Sequence, residues 1–216
     1  MTTSVRAADR QARDIVTIGA SAGGIEALIR LFDKLPADLA ATIAVVIHRP
    51  AYYVSVLDQI LGRHTALRVV EPSHGDPVKT GHVYLGPRDY HMLFENSHIT
   101  LNRDPQQHRM RPAVDPLFLS AAVAYGPRVV GVLLSGGGSD GVRGLIAIKA
   151  AGGVSLVQDP REARNPSMPA TAIAEDDVDA VLRLDQMATV LASLTAGGDI
   201  DRAAWSAPAR EPRRRP

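Results

Sequence analysis

The stretch "IVTIGASAGGIEAL", residues 15–28, joins an apolar run to a turn of small residues and the beginning of a helix. Its first four residues are typical of a buried strand, and apolar side chains then recur at helical spacing over 23–34. A strand, a glycine-rich turn and a helix in this order can cradle a phosphate, present a nucleophilic serine, or simply cap the helix. The rest of the sequence has to decide among these three interpretations.

Apolar runs alternate with helical patterns along the remaining chain. Three extended pieces between 82 and 101, "HVYLG", "YHMLF" and "HITLN", are separated by turn residues and are predicted as antiparallel strands. Two short helices are predicted between 159 and 179. Alternation of this kind predicts an α/β fold with a mostly parallel, buried sheet. The other predicted strands are 42–47, 67–70, 128–135, 153–158 and 180–184, and the other predicted helices are 53–63, 115–125, 140–151 and 185–196.

Composition limits the class of protein. The chain has 216 residues, of which 45% are hydrophobic, enough for one large domain with a substantial core. The net charge of +1 gives no overall field that would favour nucleic acid, and the lack of cysteine excludes disulfides and cysteine-ligated metals. The longest nearly apolar run, 39–47, is too short to cross a bilayer. We therefore expect a cytoplasmic protein with no membrane insertion and no nucleic-acid partner.

Both ends of the chain differ from the middle. Residues 1–13 carry three arginines and no apolar core, so we expect a disordered leader without a signal peptide. Residues 198–216 end in "PAREPRRRP" and are expected to form a Pro/Arg-rich disordered tail. No linker divides 14–197, which we expect to be one domain.

The phosphate interpretation of the glycine-rich turn fails on two counts. A dinucleotide fingerprint requires a glycine where this chain has Ser21, and an acidic residue at the end of the second strand, where this chain has His48. A P-loop would need a Gly-Lys-Ser/Thr sequence after the turn, and none follows.

The nucleophile interpretation has more support. Residues 19–23 fit G-x-S-x-G on a strand-to-helix turn, where the amides of Ala22 and Gly23 can serve as oxyanion donors. His48 ends the second strand, and Asp140 follows the strand at 128–135. Because ligands bind beyond the carboxyl ends of parallel strands, the three side chains are expected to meet as a triad. Serine and aspartate are also favoured helix caps, which is the alternative for each of them alone.

Six blocks of the sequence match a known family in order: "IGASAGGIEAL" (18–28), "HRP" (48–50), "GHVYLGPRDYHMLF" (81–94), "RPAVDPLFLSAA" (111–122), "LLSGGGSDGVRG" (133–144) and "QDPREARNPSMPATAI" (158–173). With these blocks the sequence resembles the catalytic domain of the chemotaxis protein-glutamate methylesterases, which are also protein-glutamine deamidases. The resemblance covers roughly residues 14–196.

The resemblance implies a doubly wound sheet with helices on both faces and an antiparallel hairpin near one edge. It also implies that the chain removes methyl esters from glutamate side chains of a helical chemoreceptor-type protein, with Ser21 as nucleophile, His48 as base and Asp140 as its orienting partner. Neither a cofactor nor a metal is implied, and the seven histidines show no ligand spacing. The rival interpretations are a non-catalytic binding module and a small-molecule esterase on the same fold.

The chain departs from the family pattern near the expected site. Ala22 stands where the family usually has threonine, and Gly137, whose amide the family uses in its oxyanion hole, stands where methionine is usual. Arg49 also replaces a methionine. Arg49, His108 and Arg111 are candidate residues of the substrate cleft, as is Arg109 beside them, although a solvated loop is an equal alternative for 108–111.

The family's receiver domain has no counterpart in the dozen or so residues that precede the first strand. Activity would then be controlled by a separate regulator or by expression.

Overall fold

A computed structural model describes residues 12–49, 56–176 and 178–200. Seven parallel strands in it form one sheet in the order β3-β4-β2-β1-β7-β8-β9, and two antiparallel strands, β5 and β6, form a separate hairpin. The strands are β1 (Ile15–Ala20), β2 (Thr42–Ile47), β3 (Arg68–Val70), β4 (His82–Leu85), β5 (His91–Glu95), β6 (His98–Asn102), β7 (Val129–Leu133), β8 (Val154–Gln158) and β9 (Ala180–Leu182).

Helices cover both faces of the sheet and create two cores. One core lies under α1, α2 and α6, and the other lies under α3, α4, α5 and the hairpin. The helices are α1 (Gly24–Phe32), α2 (Leu57–Leu61), α3 (Val114–Tyr125), α4 (Val142–Ala150), α5 (Ser167–Glu175) and α6 (Leu184–Thr195). The predicted doubly wound α/β fold is confirmed.

The four central strands are buried along their entire length because helices cover them on both sides. Their continuous apolar sequences are what such a position requires. The beginning of α3 packs directly on β1, where a side chain in place of Gly19 would overlap Val114. This close contact brings the amino end of α3 to the edge of the sheet where β1 ends.

One strand prediction was wrong in its direction. The piece "HVYLG" was expected to be antiparallel, but β4 runs parallel to both β2 and β3. Only the second and third of the three pieces pair antiparallel. A short extended run bounded by turn residues looks alike in either direction, and its direction depends on the distant strand with which it pairs. The hairpin lies near the β3–β4 edge, since a bridge joins Pro77 to His98.

The folded part extends slightly past the predicted limits of 14 and 197. The Arg13 amide donates to the carbonyl of Leu194, the Gly198 amide donates to that of Ser193, and Ile200 packs against the first core. The remainder of the predicted leader and tail lies outside the described residues, as does the predicted start of helix 53–63. The two short helices predicted before 180 are one helix, α5. None of the described helices is long and apolar enough to cross a membrane.

Candidate active site

Three neighbouring strands deliver three polar side chains to one edge of the sheet. Ser21 follows β1, His48 follows β2, and Asp140 lies in the turn between β7 and α4. β1 pairs with β2 on one side and with β7 on the other, all in parallel. After β1 the chain continues to β2 on one side of it, and β7 later pairs with the other side. The carboxyl ends of these strands therefore lie at the topological switch point of the sheet, where α/β proteins bind ligands.

The three side chains form a continuous hydrogen-bonded chain. The Oγ of Ser21 lies 3.1 Å from Nδ1 of His48, and Nε2 of His48 lies 2.7 Å from Oδ2 of Asp140. Because an ionised carboxylate only accepts, the imidazole proton belongs on Nε2, which leaves the lone pair of Nδ1 to accept the serine proton. The ring is therefore turned the other way from the familiar triad, in which Nε2 faces the serine.

Asp140 remains ionised although its side chain is only 1% exposed. Burial alone would raise the pKa of its carboxyl, but hydrogen bonds from His48 and from the amides of Val114 and Asp115 outweigh burial and lower it. The two amides donate over 2.7 and 2.9 Å and open α3, whose positive end favours a negative charge. Asp140 is thus suited to stabilise an imidazolium at His48.

A second buried carboxylate mirrors the first. Asp115, in the first turn of α3, accepts the amides of Gly141 and Gly144 at the beginning of α4, over 3.0 and 2.9 Å. Asp140, just before α4, therefore caps the amino end of α3, and Asp115, in α3, caps that of α4. We call Asp115 and Asp140 the crossed carboxylate pair. Burial raises the pKa of Asp115, and the negative charge of Asp140 raises it further. Hydrogen bonds from Gly144 and His108 lower it but do not outweigh these two effects. Sequence reasoning missed Asp115, whose only signal was its place in "RPAVD".

The turn at 19–23, which we call the nucleophile turn after the predicted role of Ser21, depends on a buried serine that the sequence analysis did not single out. Ser135, just after β7, accepts the Ser21 amide at its carbonyl over 3.0 Å. Its hydroxyl donates to the carbonyl of Ala22 over 2.8 Å and accepts the amide of Asn165 over 2.9 Å. Ser135 thereby joins the nucleophile turn to the loop before α5. Gly23 adopts φ 79°, and a side chain there would meet Ser135, so glycine is required.

Backbone amides beside Ser21 are available to a ligand. Among the residues that the structure describes, the amides of Ala22, Gly23 and Gly137 donate to no protein acceptor. Ala22 and Gly137 line the same cavity as Ser21, whereas Gly23 does not. Their role as oxyanion donors stays a prediction, and the geometry favours Ala22 and Gly137.

The cavity at the triad has a volume of about 430 Å³ and opens to the surface. Besides the triad, its walls include six residues from the nucleophile turn, the 107–111 loop, the turn after β7 and the loop before α5. These are Ala22, His108, Arg109, Met110, Gly137 and Asn165. Met110 and Asn165 were not among the predicted cleft residues. The only hint at Asn165 was its place in the block "QDPREARNPSMPATAI" (158–173).

Of the predicted cleft residues, the structure brings His108 and Arg109 to the cavity but not Arg49 or Arg111. The Arg49 side chain is 8% exposed, and its guanidinium donates to Glu71 and to the carbonyl of Gly86. The Arg111 guanidinium donates to Asp89 and to two backbone carbonyls of the 103–104 segment. In both cases a long side chain finds acceptors away from the cavity, and sequence position could not indicate this.

One group of described side chains has the composition of a metal site. Ligand atoms of His108, Asp115 and Asp140 lie within 4.8 Å of one another. The carboxylate oxygens of the two acids already accept hydrogen bonds from four backbone amides and two imidazoles. A cation at this position would have to displace the bonds that orient His48.

The chain is also similar to known proteins. The family described as CheB methylesterase matches residues 16–191. A protein-glutamate methylesterase/protein-glutamine glutaminase of Pyrococcus horikoshii is 36% identical over 199 residues, which are 88% of this chain and 54% of that protein. A second of Anaeromyxobacter dehalogenans is 40% identical, covering 84% of this chain and 53% of the relative. The chain thus spans about half the length of these curated relatives.

A solved structure is also similar. The crystal structure of the Thermotoga maritima CheB methylesterase catalytic domain superposes with a TM-score of 0.80 at 32% identity. The match covers 84% of this chain and 98% of that domain. The described fold is therefore that of the catalytic domain.

Proposed function

The chain belongs to the CheB methylesterase family, and from that premise we propose that it is a serine hydrolase acting on glutamate methyl esters of a helical signalling protein. The observation that carries the proposal is the unbroken chain of hydrogen bonds from Ser21 through His48 to Asp140. Deamidation of glutamine side chains is a second reaction that the same groups support. The relatives' names join both activities.

The reaction follows from the positions of the groups. Ser21 Oγ attacks the ester carbonyl while Nδ1 of His48 takes its proton, and Asp140 stabilises the imidazolium. The amides of Ala22 and Gly137 bind the oxyanion. Collapse of the tetrahedral intermediate expels methanol, which takes the proton from His48 and leaves a glutamyl ester on Ser21. Water, deprotonated by His48, then attacks this ester. The bond to Ser21 Oγ breaks, His48 returns the proton to Oγ, and the glutamate side chain is released. With glutamine the first leaving group is ammonia.

The shape of the site supports a side-chain substrate on a larger protein. The cavity is open to the surface, so an ester-bearing side chain can enter it while the rest of the substrate protein stays outside. We infer that the partner is a methylated receptor helix or a similar signalling helix.

The direct test is methanol release from methylated receptor membranes, comparing wild type with Ser21→Ala and His48→Ala. Each substitution is expected to lower kcat by about 10³-fold or more, and the double variant little further, because the two groups act as a unit. Ser73→Ala, at an exposed loop serine, is the matched control and should keep wild-type activity.

A phosphonate serine probe separates the rival functions. Labelling of Ser21 without methanol release from receptor membranes would replace the proposal by a small-molecule esterase. No labelling at all would leave a binding module on a hydrolase fold.

A further inference from the structure

Two consecutive residues at the mouth of the cavity adopt a backbone conformation that non-glycine residues rarely take. His108 has φ 51° and Arg109 has φ 62°. They are the central residues of a two-residue hairpin, since Gln107 and Met110 exchange both backbone hydrogen bonds, over 3.1 and 2.8 Å. Hairpins of this kind favour Asn-Gly or Gly-Gly at the two central positions. Strain of this kind is found at functional sites when the surrounding structure enforces it.

The surroundings do enforce it. Arg111, one residue past the turn, is held by Asp89 and by the carbonyls of Arg103 and Asp104. On the other side, Nε2 of His108 lies 3.2 Å from Oδ2 of the buried Asp115. The 107–110 turn is therefore fixed from both sides, and this places Arg109 on the wall of the cavity that holds Ser21.

Among the arginines near this edge of the sheet, Arg109 is the one that lines the described wall of the cavity. It is exposed, and within the described parts of the chain its guanidinium has neither a hydrogen-bond acceptor nor an ion-pair partner. Arg111, Arg161 and Arg164, in contrast, pair with Asp89, Asp159 and Glu26 respectively. The acid on the described cavity wall is Asp140, whose oxygens are already occupied. Among the described residues, the cavity that holds Ser21 thus presents a cation without a free counter-charge.

We propose that Arg109 is a specificity residue that pairs with a carboxylate on the substrate protein, next to the side chain that is hydrolysed. The inference rests on the proposed function and adds to it the chemical class of the substrate, an acidic helical segment. A guanidinium is suited to this task because its planar fork matches a carboxylate. The contact lies away from the reacting carbonyl, so it is expected to act on KM rather than on kcat.

The experiment uses two helical peptides, each with one glutamate methyl ester and differing only four residues away, where one carries glutamate and the other glutamine. Residues four apart share a helix face, so both side chains face the enzyme together. Wild type is expected to favour the glutamate peptide by about two- to fivefold in kcat/KM, the range of an exposed ion pair. The preference should shrink as salt is raised.

Arg109→Gln should abolish the preference, and Arg109→Lys, which keeps the charge without the fork, should retain part of it. Arg63→Gln removes the same charge from an exposed position outside the cavity and should keep both the preference and the activity. Circular dichroism of each variant checks that it is folded, and Arg109→Lys keeps the test decisive if Arg109→Gln does not fold.

Equal rates of wild type on both peptides, or a full preference in Arg109→Gln, would overturn the inference while leaving the proposed function in place. Hydrolysis of p-nitrophenyl acetate without hydrolysis of either peptide would instead remove the proposed function, and the inference with it.

Discussion

The Asp140 carboxylate accepts three hydrogen bonds, one from His48 and two from the amides that open α3. A helix cap needs only the two amides, whereas a triad needs the imidazole as well. Since the bond to Nε2 of His48 also decides which ring nitrogen carries the proton, Asp140 controls whether Nδ1 can act as a base. The two roles of Asp140, as helix cap and as triad member, therefore predict different consequences for a conservative substitution.

Asp140→Asn should keep the fold and lose most of the activity. The asparagine oxygen can still accept an amide of α3, but its NH₂ group would face Nε2 of His48 and favour the proton on Nδ1. That tautomer cannot accept the Ser21 proton, so we expect kcat to fall by about 10⁴-fold, as for the equivalent change in a triad. The measurement is methyl ester hydrolysis, with Asp38→Asn, at an exposed aspartate, as the matched control. Retention of a tenth of the activity would leave Asp140 as a helix cap alone.

At the scale of the elements, the site depends on how α3 and α4 cross at their amino ends. The two helices can approach closely because Gly144 has no side chain. A side chain at that position would overlap Phe118. Asp115 then reaches the first amides of α4, while Asp140 reaches those of α3. The Asp140 carboxylate is therefore positioned in two ways: by the hydrogen bonds that it accepts, and by the bonds to Asp115 that hold α4, the helix after it.

Substitutions at Asp115 test this second placement. Asp115→Ala leaves the amides of Gly141 and Gly144 buried without an acceptor, at a cost of about 1–3 kcal/mol each in the free energy of unfolding. Because α4 follows Asp140 directly, we also expect kcat to fall at least tenfold, a barrier change of about 1.4 kcal/mol. Asp115→Asn keeps an oxygen at that position and should restore most of both quantities. Urea unfolding and kcat measured on the same samples decide the question. If the alanine and asparagine variants behaved alike, the crossing would not position Asp140.

At the scale of the whole molecule, the sequence was sufficient wherever one general rule of parallel sheets applied. Continuous apolar runs predicted strands buried on both faces, and the strand-end rule predicted the meeting of Ser21, His48 and Asp140 that the hydrogen bonds show. The sequence could not predict the direction of β4 or the contacts of Ser135 and Asp115. They depend on pairs of residues that lie 25 or more positions apart, with no repeating pattern between them.

The crossed carboxylate pair also affects how the stability of the whole molecule depends on pH. Burial raises the pKa of Asp140, but its hydrogen bonds outweigh burial and hold the pKa below the ordinary value. Its contribution to stability is therefore complete above the unfolded pKa, near 3.9, and is lost as the pH falls through the folded value. Burial raises the pKa of Asp115, and the charge of Asp140 raises it further. The contribution of Asp115 to stability is therefore present at low pH and is lost as the pH rises through its folded pKa.

Comparison of wild type with Asp140→Asn isolates these two effects, because the other ionisable groups are common to both proteins. The difference in free energy of unfolding, wild type minus variant, should increase as the pH rises toward about 4, where only the wild type gains from ionising Asp140. Above that pH the difference should decline, since burial opposes ionisation of Asp115 in both proteins but the charge of Asp140 opposes it further in the wild type alone. Urea unfolding between about pH 3 and 5.5 stays below the range in which free histidines titrate, near 6.5. A difference that rises without a maximum would show that the two carboxylates do not interact, and a flat difference would show that Asp140 is not ionised preferentially in the folded protein.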